Sequence, residues 1–345
     1  MSPLAEDLLN WFEVNGRKTL PWQSTPSNIY HVWLSEVMLQ QTQVNTVIDY
    51  FNTFVERFPT LSDLAKANID EVLAQWAGLG YYSRARNLHK SAQLIFSKHD
   101  GEFPHDFESV LSLPGIGQST AGAILSLGAK QRHPILDGNV KRVLSRYHQI
   151  EGHYSKPSVL KTLWREANFH TPEFVCPEYT QAIMDLGAMV CTRSKPKCGQ
   201  CPIAQHCRSN IQQTQGQYPS KKPSKAKPSK TISMLVFRNE SGNVYLCKRP
   251  DKGIWGGLWS LLECDDANLS GPIKSHNPLA TIERALPQFK HSFTHYHLLI
   301  TPVLISSPGL VVNYENPKEL SKGVPAPVKK ILSQLDSPVG SIANA

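Results

Sequence analysis

Leu113-Pro114-Gly115-Ile116-Gly117-Gln118-Ser119-Thr120-Ala121 opens the stretch around which the chain is organised. It continues as an apolar run of helical spacing through Leu127, then as Pro134-Ile135-Leu136-Asp137-Gly138-Asn139-Val140-Lys141-Arg142. Two glycines one residue apart let the backbone approach a ligand with no Cβ in the way. A helix entered through such a turn offers free N–H groups backed by its dipole, which suits an anion such as phosphate. An ordinary tight turn before a core helix would read the same, so the stretch needs support from the rest of the chain.

Working outward, the sequence from Leu4 to about Ile211 is a succession of segments with apolar residues three and four apart, broken by Pro and Gly. Val32 to Gln41, Asn45 to Phe58, Ser83 to Ser97, Ser119 to Leu127, Val140 to Tyr147 and Tyr179 to Met189 read as helices, with most apolar side chains in a core. Residues 1–211 are therefore expected as an all-α domain. From Gln212 to Lys230 the composition turns to Gln, then to Pro219, Pro223 and Pro228 interleaved with lysines, which predicts an extended linker over 212–230. Beyond it, Ile232 to Phe237 and Val244 to Cys247 flank Asn239-Glu240-Ser241-Gly242-Asn243, a hairpin pattern. Further strands are expected in Ser292 to Ile305 and near Leu258, and a closing helix over Val328 to Leu335. Residues 231–345 read as a smaller α+β domain, giving a multidomain chain.

With 36 Lys+Arg against 28 Asp+Glu, the formal charge is +8 and the pI about 9.0, which favours a polyanionic partner, with nucleic acid foremost. Glu6 and Asp7 interrupt the place where a signal peptide needs an apolar run, and no stretch approaches the length of a membrane span. A cytoplasmic, non-membrane protein is the expectation. Four of the seven cysteines, Cys191, Cys198, Cys201 and Cys207, crowd together with spacing C-x6-C-x2-C-x5-C. In a reducing compartment that crowding points to metal rather than disulfides, either a tetrahedral zinc or an iron–sulfur cluster. Arg193, Lys195, Lys197, His206 and Arg208 make the same loop cationic. Cys176, Cys247 and Cys264 read as small buried hydrophobes.

Helix, glycine hairpin, helix, an Asp and then this cysteine spacing resemble the helix-hairpin-helix DNA glycosylase superfamily over about residues 1 to 210. The resemblance implies one 4Fe-4S cluster on the four cysteines. Cleaving an N-glycosidic bond needs a carboxylate near the sugar as cationic character develops, and a second carboxyl to donate a proton and handle water. Asp137 fits the first need, although an Asp ahead of a helix is also an ordinary N-cap. Glu36 fits the second: it is the one acidic residue in an apolar and amide-bearing segment, where its pKa should rise enough to keep a proton at neutral pH. An exposed helix Glu is the plain alternative.

Leu34-Ser35-Glu36-Val37-Met38-Leu39-Gln40-Gln41-Thr42-Gln43-Val44 is similar to the MutY family of adenine glycosylases, as are Gly16 to Trp22 and Gly78 to Leu88. That resemblance implies excision of adenine opposite 8-oxoguanine, and also opposite guanine, from duplex DNA by a monomer. It implies that Glu36 protonates the flipped adenine at N7 and then assists water, and that Asp137 stabilises the sugar cation with Asn139 beside the pair. Trp22 and Gln181 would surround the adenine, Gln41 and Tyr81 would wedge into the vacated space, and Gly115 and Gly117 would anchor a phosphate. Gln40 and Ser119 would complete the DNA-facing set. Core packing is the alternative for Trp22 and Tyr81, and solvated surface for Lys141 and Arg142.

Endonuclease III is the nearest rival, with the same hairpin and cluster and a lyase step that needs a Lys amine at the position Ser119 occupies. A hydroxyl forms no imine, so base removal without strand cutting is expected. Gly256-Gly257-Leu258-Trp259 and Phe293-Thr294-His295-Tyr296-His297 look like the Nudix-related domain with which the MutY family recognises 8-oxoguanine, through Thr294 and His295 here. The family commonly has Ser at Thr294 and Pro at Leu262. No Glu-rich Nudix metal motif is found in residues 231 to 345, so phosphohydrolysis is not expected. A non-catalytic iron–sulfur DNA-binding protein is a third reading, which the paired carboxylates oppose because they would repel phosphate.

Overall fold

The structure is a computed structural model that describes residues 1–222, 226–265, 269–309, 312–320 and 322–335. Pro223 and Lys225 of the expected linker lie outside the described residues. Helices α1 (Pro3–Asn15), α2 (Ile29–Leu39), α3 (Val44–Arg57), α4 (Leu61–Lys66), α5 (Ile69–Gln75), α6 (Ser83–Lys98), α7 (Phe107–Ser112), α8 (Gln118–Ala129), α9 (Gly138–His148), α10 (Pro157–His170) and α11 (Cys176–Asp185) follow in order. A π-helical turn at Leu186–Val190 continues α11, and α12 (Arg208–Ile211) follows the last clustered cysteine. Side-chain oxygens start many of these helices. Ser2 accepts from Ala5 N, Asn28 from Tyr30 N and His31 N, Asp106 from Ser109 N and Asp137 from Val140 N.

By packing, Met1–Lys66 and Asn87–Pro223 form one compact unit, and Ala67–Arg86 forms a second with Ser224–Ala345. In the first unit, Leu4 and Leu8 of α1, Val140, Val143 and Leu144 of α9, Leu163 of α10 and Ala182 and Leu186 around α11 share one core with Ile135 and Leu136. Asp137 is thus attached to a backbone segment whose two preceding side chains are buried. Helix α2 buries Val32, Trp33, Leu34, Val37 and Met38, so it is interior on almost every side and carries Glu36 into the protein. It stops at Leu39, two residues earlier than the periodicity suggests, because Gln41 takes φ 60° and turns the chain.

Gly115 has φ +79°, and a Cβ there would lie 2.8 Å from Asn87 Nδ2, so both backbone and space require glycine. Gly117 has ordinary extended φ and nothing within 4 Å of a built Cβ; the space before α8 is open. The stretch read as an extended tether is not free at its start. Gln149 Nε2 donates to Gln212 Oε1 and Thr214 Oγ1, Arg146 Nε donates to the carbonyls of Gln215 and Tyr218, and Gly152 N donates to Ser220 Oγ.

The second unit is built on a sheet of β1 (Ser229–Arg238), β2 (Val244–Tyr245), β5 (Leu262–Cys264), β6 (Thr281–Ala285), β7 (Phe289–Ser292), β8 (His297–Ser306) and β9 (Tyr314–Glu315), with β3 (Cys247–Lys248) and β4 (Trp259–Ser260) paired apart. The path is β6-β8-β1-β2-β9, and β1 and β8 run parallel in register from Ser229 beside His297 to Arg238 beside Ser306. Five consecutive buried residues, Ser233 to Phe237, mark β1 as a central strand covered on both faces. Helix α13 (Ser270–His276) packs Ile273 into the core with Leu235, Phe237, Val303 and Ile305, and α14 (Ala326–Ser333) ends the described chain. The hairpin expected around Asn239 to Asn243 is present, with Arg238 opposite Val244. Cys247, on the separate β3–β4 pair, and Cys264, at the end of β5, are half-buried rather than interior; Cys176 is buried. Among the described residues, no helix is long and apolar enough to cross a membrane.

Candidate active site

A pocket of about 430 Å³ in the first unit brings together most of the expected residues: Trp22, Glu36, Gln40, Gln41, Ser119, Asp137, Asn139 and Gln181. Glu36 keeps some exposure to this pocket but is otherwise packed by protein, and burial pushes its carboxyl up to about 8, helped by the charge of Asp137. Asp137 is raised as well by burial, against hydrogen bonds from the Val140 and Asn139 backbones and the charges of Arg142 and Lys141. Its Oδ1 accepts from Val140 N at 2.8 Å and its Oδ2 from Asn139 Nδ2 at 3.2 Å. Asp137 therefore both caps α9 and lines the pocket.

Asn139 is fixed in turn, because its Oδ1 accepts from Arg142 Nη2 at 2.9 Å. Arg142 also donates to the carbonyls of Gly187 at 2.6 Å and Cys191 at 2.7 Å, so it is a fixed support for Asn139 rather than a solvated side chain. Gly187 sits in the π-helical turn, and a Cβ there would come within 2.5 Å of Asn139 Cβ; only glycine leaves the asparagine its place. Ser119 Oγ accepts from Leu136 N at 2.8 Å and so ties the start of α8 to the residue preceding Asp137. Gln40 Nε2 reaches Gly115 O at 3.4 Å, joining the end of α2 to the glycine turn.

Gln181 is buried, and its Nε2 donates to Asp185 Oδ1 at 2.8 Å. Asp185 has no exposure and is gripped by Arg17 through N at 2.8 Å, Nε at 2.8 Å and Nη2 at 2.5 Å. This clamp engages one N–H of the Gln181 amide and so fixes which way its oxygen points. Arg17, Asp185 and Gly187 were not singled out from the sequence. Only the four-residue spacing of Gln181 and Asp185 on one helix face could have signalled part of the clamp. Trp22 is 5% exposed, packs edge-on to Phe51 with ring centroids 5.4 Å apart, and still borders the pocket.

Tyr81, Thr294 and His295 belong to the second unit, where they line a pocket of about 640 Å³ with Arg86, Trp255 and Phe293. Tyr81 has φ 48° and is 45% exposed, with the Arg84 guanidinium 5.6 Å from its ring centre. Thr294 Oγ1 lies 3.4 Å from His295 Nδ1, so the hydroxyl expected of this position is available.

The four clustered cysteines line one small cavity with Val143, Arg146 and Ile203. Burial, joined by repulsion from the other three thiols, pushes Cys201 up to about 12. Such a group needs positive metal to hold four thiolates together, which the donor set suits. Arg146, 3% exposed, donates to Cys191 Sγ at 3.3 Å and to the carbonyls of Thr192 and Arg193 at 2.7 and 3.0 Å, fastening the loop to α9.

Comparison with known proteins gives the class first. The family described as HhH-GPD superfamily base excision DNA repair protein matches residues 34–169, the iron-sulfur binding domain of endonuclease III matches residues 191–207, and the NUDIX domain matches residues 233–334. The cysteine loop accordingly holds an iron–sulfur cluster. Among solved structures, a thermostable thymine-DNA glycosylase superposes with TM-score 0.53 at 24% identity, covering 61% of this chain and 95% of that one. A non-covalent endonuclease III–DNA complex does so with TM-score 0.52 at 21% identity, covering 61% and 94%. An adenine DNA glycosylase of Buchnera aphidicola subsp. Acyrthosiphon pisum is 40% identical over 339 residues, spanning 94% of this chain and 95% of the relative. The chain belongs to the adenine DNA glycosylase family.

Proposed function

We propose that the protein is a monofunctional adenine DNA glycosylase of base excision repair, acting on adenine mispaired with 8-oxoguanine or guanine in duplex DNA. The observation that carries this reading is the pairing in one pocket of a carboxyl pushed up to about 8, Glu36, with a hydrogen-bonded carboxylate, Asp137, beside an oriented amide, Gln181. Glu36 donates its proton to N7 of a flipped adenine. The bond between C1′ and N9 then breaks, its electron pair leaves with the adenine, and the Asp137 carboxylate faces the cationic sugar. Glu36, now a carboxylate, takes a proton from water as the water oxygen bonds to C1′, which leaves an abasic site and restores the acid. The Gln181 oxygen accepts from the exocyclic amine of adenine, whereas a base with a carbonyl at that edge would meet it with like charge.

Gly117 and the open N-terminus of α8 form the phosphate contact, and the exposed Arg193, Lys195 and Lys197 extend the cationic surface toward the duplex. Gln41, exposed and in the left-handed region at the pocket rim, and Tyr81, likewise left-handed, act as wedges. Thr294 and His295 read the oxidised base in the second unit. Four thiols gathered in one loop around one cavity support our reading of the cluster as a single 4Fe-4S centre held by Cys191, Cys198, Cys201 and Cys207. When bound, that cluster supplies a rigid cationic loop, not a reacting atom. Metal-binding rather than disulfide-bonded cysteines suit a reducing compartment, and in this reading the protein acts in the cytoplasm as a monomer.

The decisive experiment is base release from defined duplexes. Adenine opposite 8-oxoguanine should be freed, with strand breaks appearing only after alkali, because Ser119 supplies no amine for an imine. Breaks without alkali would establish the endonuclease III-like lyase instead. Duplex binding with no base release would leave a non-catalytic iron–sulfur protein.

A further inference from the structure

At the end of α9 remote from Asp137 lies a second set of metal-ligand atoms. His148 Nε2 and His170 Nε2 are 2.9 Å apart, and Glu166 Oε2 is 3.5 Å from His148 Nε2. All three ligand atoms fall within 4.8 Å of one another. Glu166 and His170 stand four residues apart on one face of α10, and His148 is the last residue of α9. We propose that His148, Glu166 and His170 form a binding site for a single Zn²⁺, separate from the iron–sulfur loop, that fastens α9 to α10.

The surroundings prepare the set for a cation. Ser2 Oγ lies 2.8 Å from His170 Nδ1; with that nitrogen carrying the proton, the Nε2 lone pair faces Glu166 and His148. This is the outer partner that a ligating imidazole requires to fix its ring and tautomer. Arg165 donates through Nε and Nη2 to Glu166 Oε1 at 3.0 and 2.7 Å, which occupies one carboxylate oxygen and leaves Oε2 for metal. Burial disfavours the charged form of both imidazoles, with His170 pushed down to about 4 and His148 lowered too. Without metal, one imidazole bridges to the other through an Nε2 proton. Binding needs only a tautomeric shift of that proton to Nδ1.

Two imidazoles and one carboxylate with a fourth position for water are a zinc donor set, and the lack of further oxygens disfavours calcium and magnesium. Tetrahedral zinc places nitrogen ligands about 3.3 Å apart, between the two spacings seen here. Helix α9 has 11 residues, roughly 16 Å, with Asp137 at one end and this site at the other, so zinc would brace the far end of the helix that presents the sugar-facing carboxylate.

The test uses the holoprotein with its iron–sulfur cluster in place. After exposure to Zn²⁺ alone and exhaustive dialysis, elemental analysis should find one zinc per chain with iron and sulfide unchanged. Thermal denaturation should shift upward with added Zn²⁺. His148→Gln and Glu166→Gln, on partly exposed side chains, should each abolish both effects while keeping iron content and circular dichroism. Ser2→Ala should weaken zinc binding roughly 10- to 100-fold. Failure of the wild-type protein to retain zinc would overturn the proposal, as would equal retention by His148→Gln or zinc uptake matched by loss of iron.

Discussion

Glu36 is the residue at which the proposed chemistry is most exposed to measurement. Its acid form is present below about 8, so adenine release under single turnover should fall as pH rises through that value. Glu36→Gln should abolish release at every pH and leave duplex binding largely intact; an active Glu36→Gln protein would end the role. The same carboxyl also taxes folding. Its folded value lies above the ordinary 4.5, so the stability it permits is fully present below 4.5 and is lost as pH rises toward about 8. Glutamine does not titrate. At pH 9, Glu36→Gln should therefore be more stable than wild type, by a few kcal/mol at most, given about 1.4 kcal/mol per pKa unit. Equal melting curves at pH 9 would contradict the buried acid. The acidity of Glu36 was legible because its neighbours along the chain are apolar. The Arg17–Asp185–Gln181 clamp was not, since Arg17 and Asp185 stand 168 residues apart and nothing local pairs them.

Among elements, α9 links the most functions. Its N-cap is Asp137, its first turns carry Asn139 and Arg142 toward the π-helical turn, and Arg146 holds the cysteine loop. Its beginning could be read from Asp137 alone, because a capping carboxylate leaves a local signature. The π-helical turn could not: one extra residue per turn within an apolar stretch barely alters the periodicity, and the sequence suggested one unbroken helix from Tyr179 to Met189. Capping and chemistry at Asp137 can be separated by Asp137→Asn. Asparagine caps helices about as well as aspartate, so denaturation should change only by about the 1 kcal/mol of the hydrogen bond from Asn139 Nδ2 that the new amide nitrogen cannot accept. Base release should fall roughly 10²-fold or more, because a neutral amide cannot face a sugar cation as a carboxylate does. A normal release rate in Asp137→Asn would reduce the residue to a helix cap.

In the whole molecule, the chain order and the packing order differ. The composition change near Gln212 suggests a division between helical and sheet-bearing halves, yet Ala67–Arg86 packs with Ser224–Ala345. The reasons are non-local and so invisible to periodicity. Lys248 Nζ pairs with Asp70 Oδ1 at 2.7 Å, Arg86 Nη1 donates to Gly256 O, and a Cβ on Gly323 would meet Leu73 O at 2.9 Å. A chain ending at Ser220 removes every one of these partners while leaving the core around α1, α8, α9, α10 and α11 intact. We expect such a fragment to keep its iron and release adenine, since Glu36, Asp137 and Gln181 all lie in the first unit. Amides of residues 67–86 should exchange with solvent markedly faster than in the full chain, because opening that segment no longer breaks contacts with the sheet unit. Preference for 8-oxoguanine over guanine opposite adenine should fall together with that protection, since Thr294 and His295 are gone and Tyr81 has lost the walls of its pocket. Hydrogen exchange followed residue by residue on both chains tests the structural half, and release rates on the two mispairs test the recognition half. Unchanged protection over 67–86 would mean that the segment is held by the helical unit, and unchanged discrimination would remove lesion reading from the second unit.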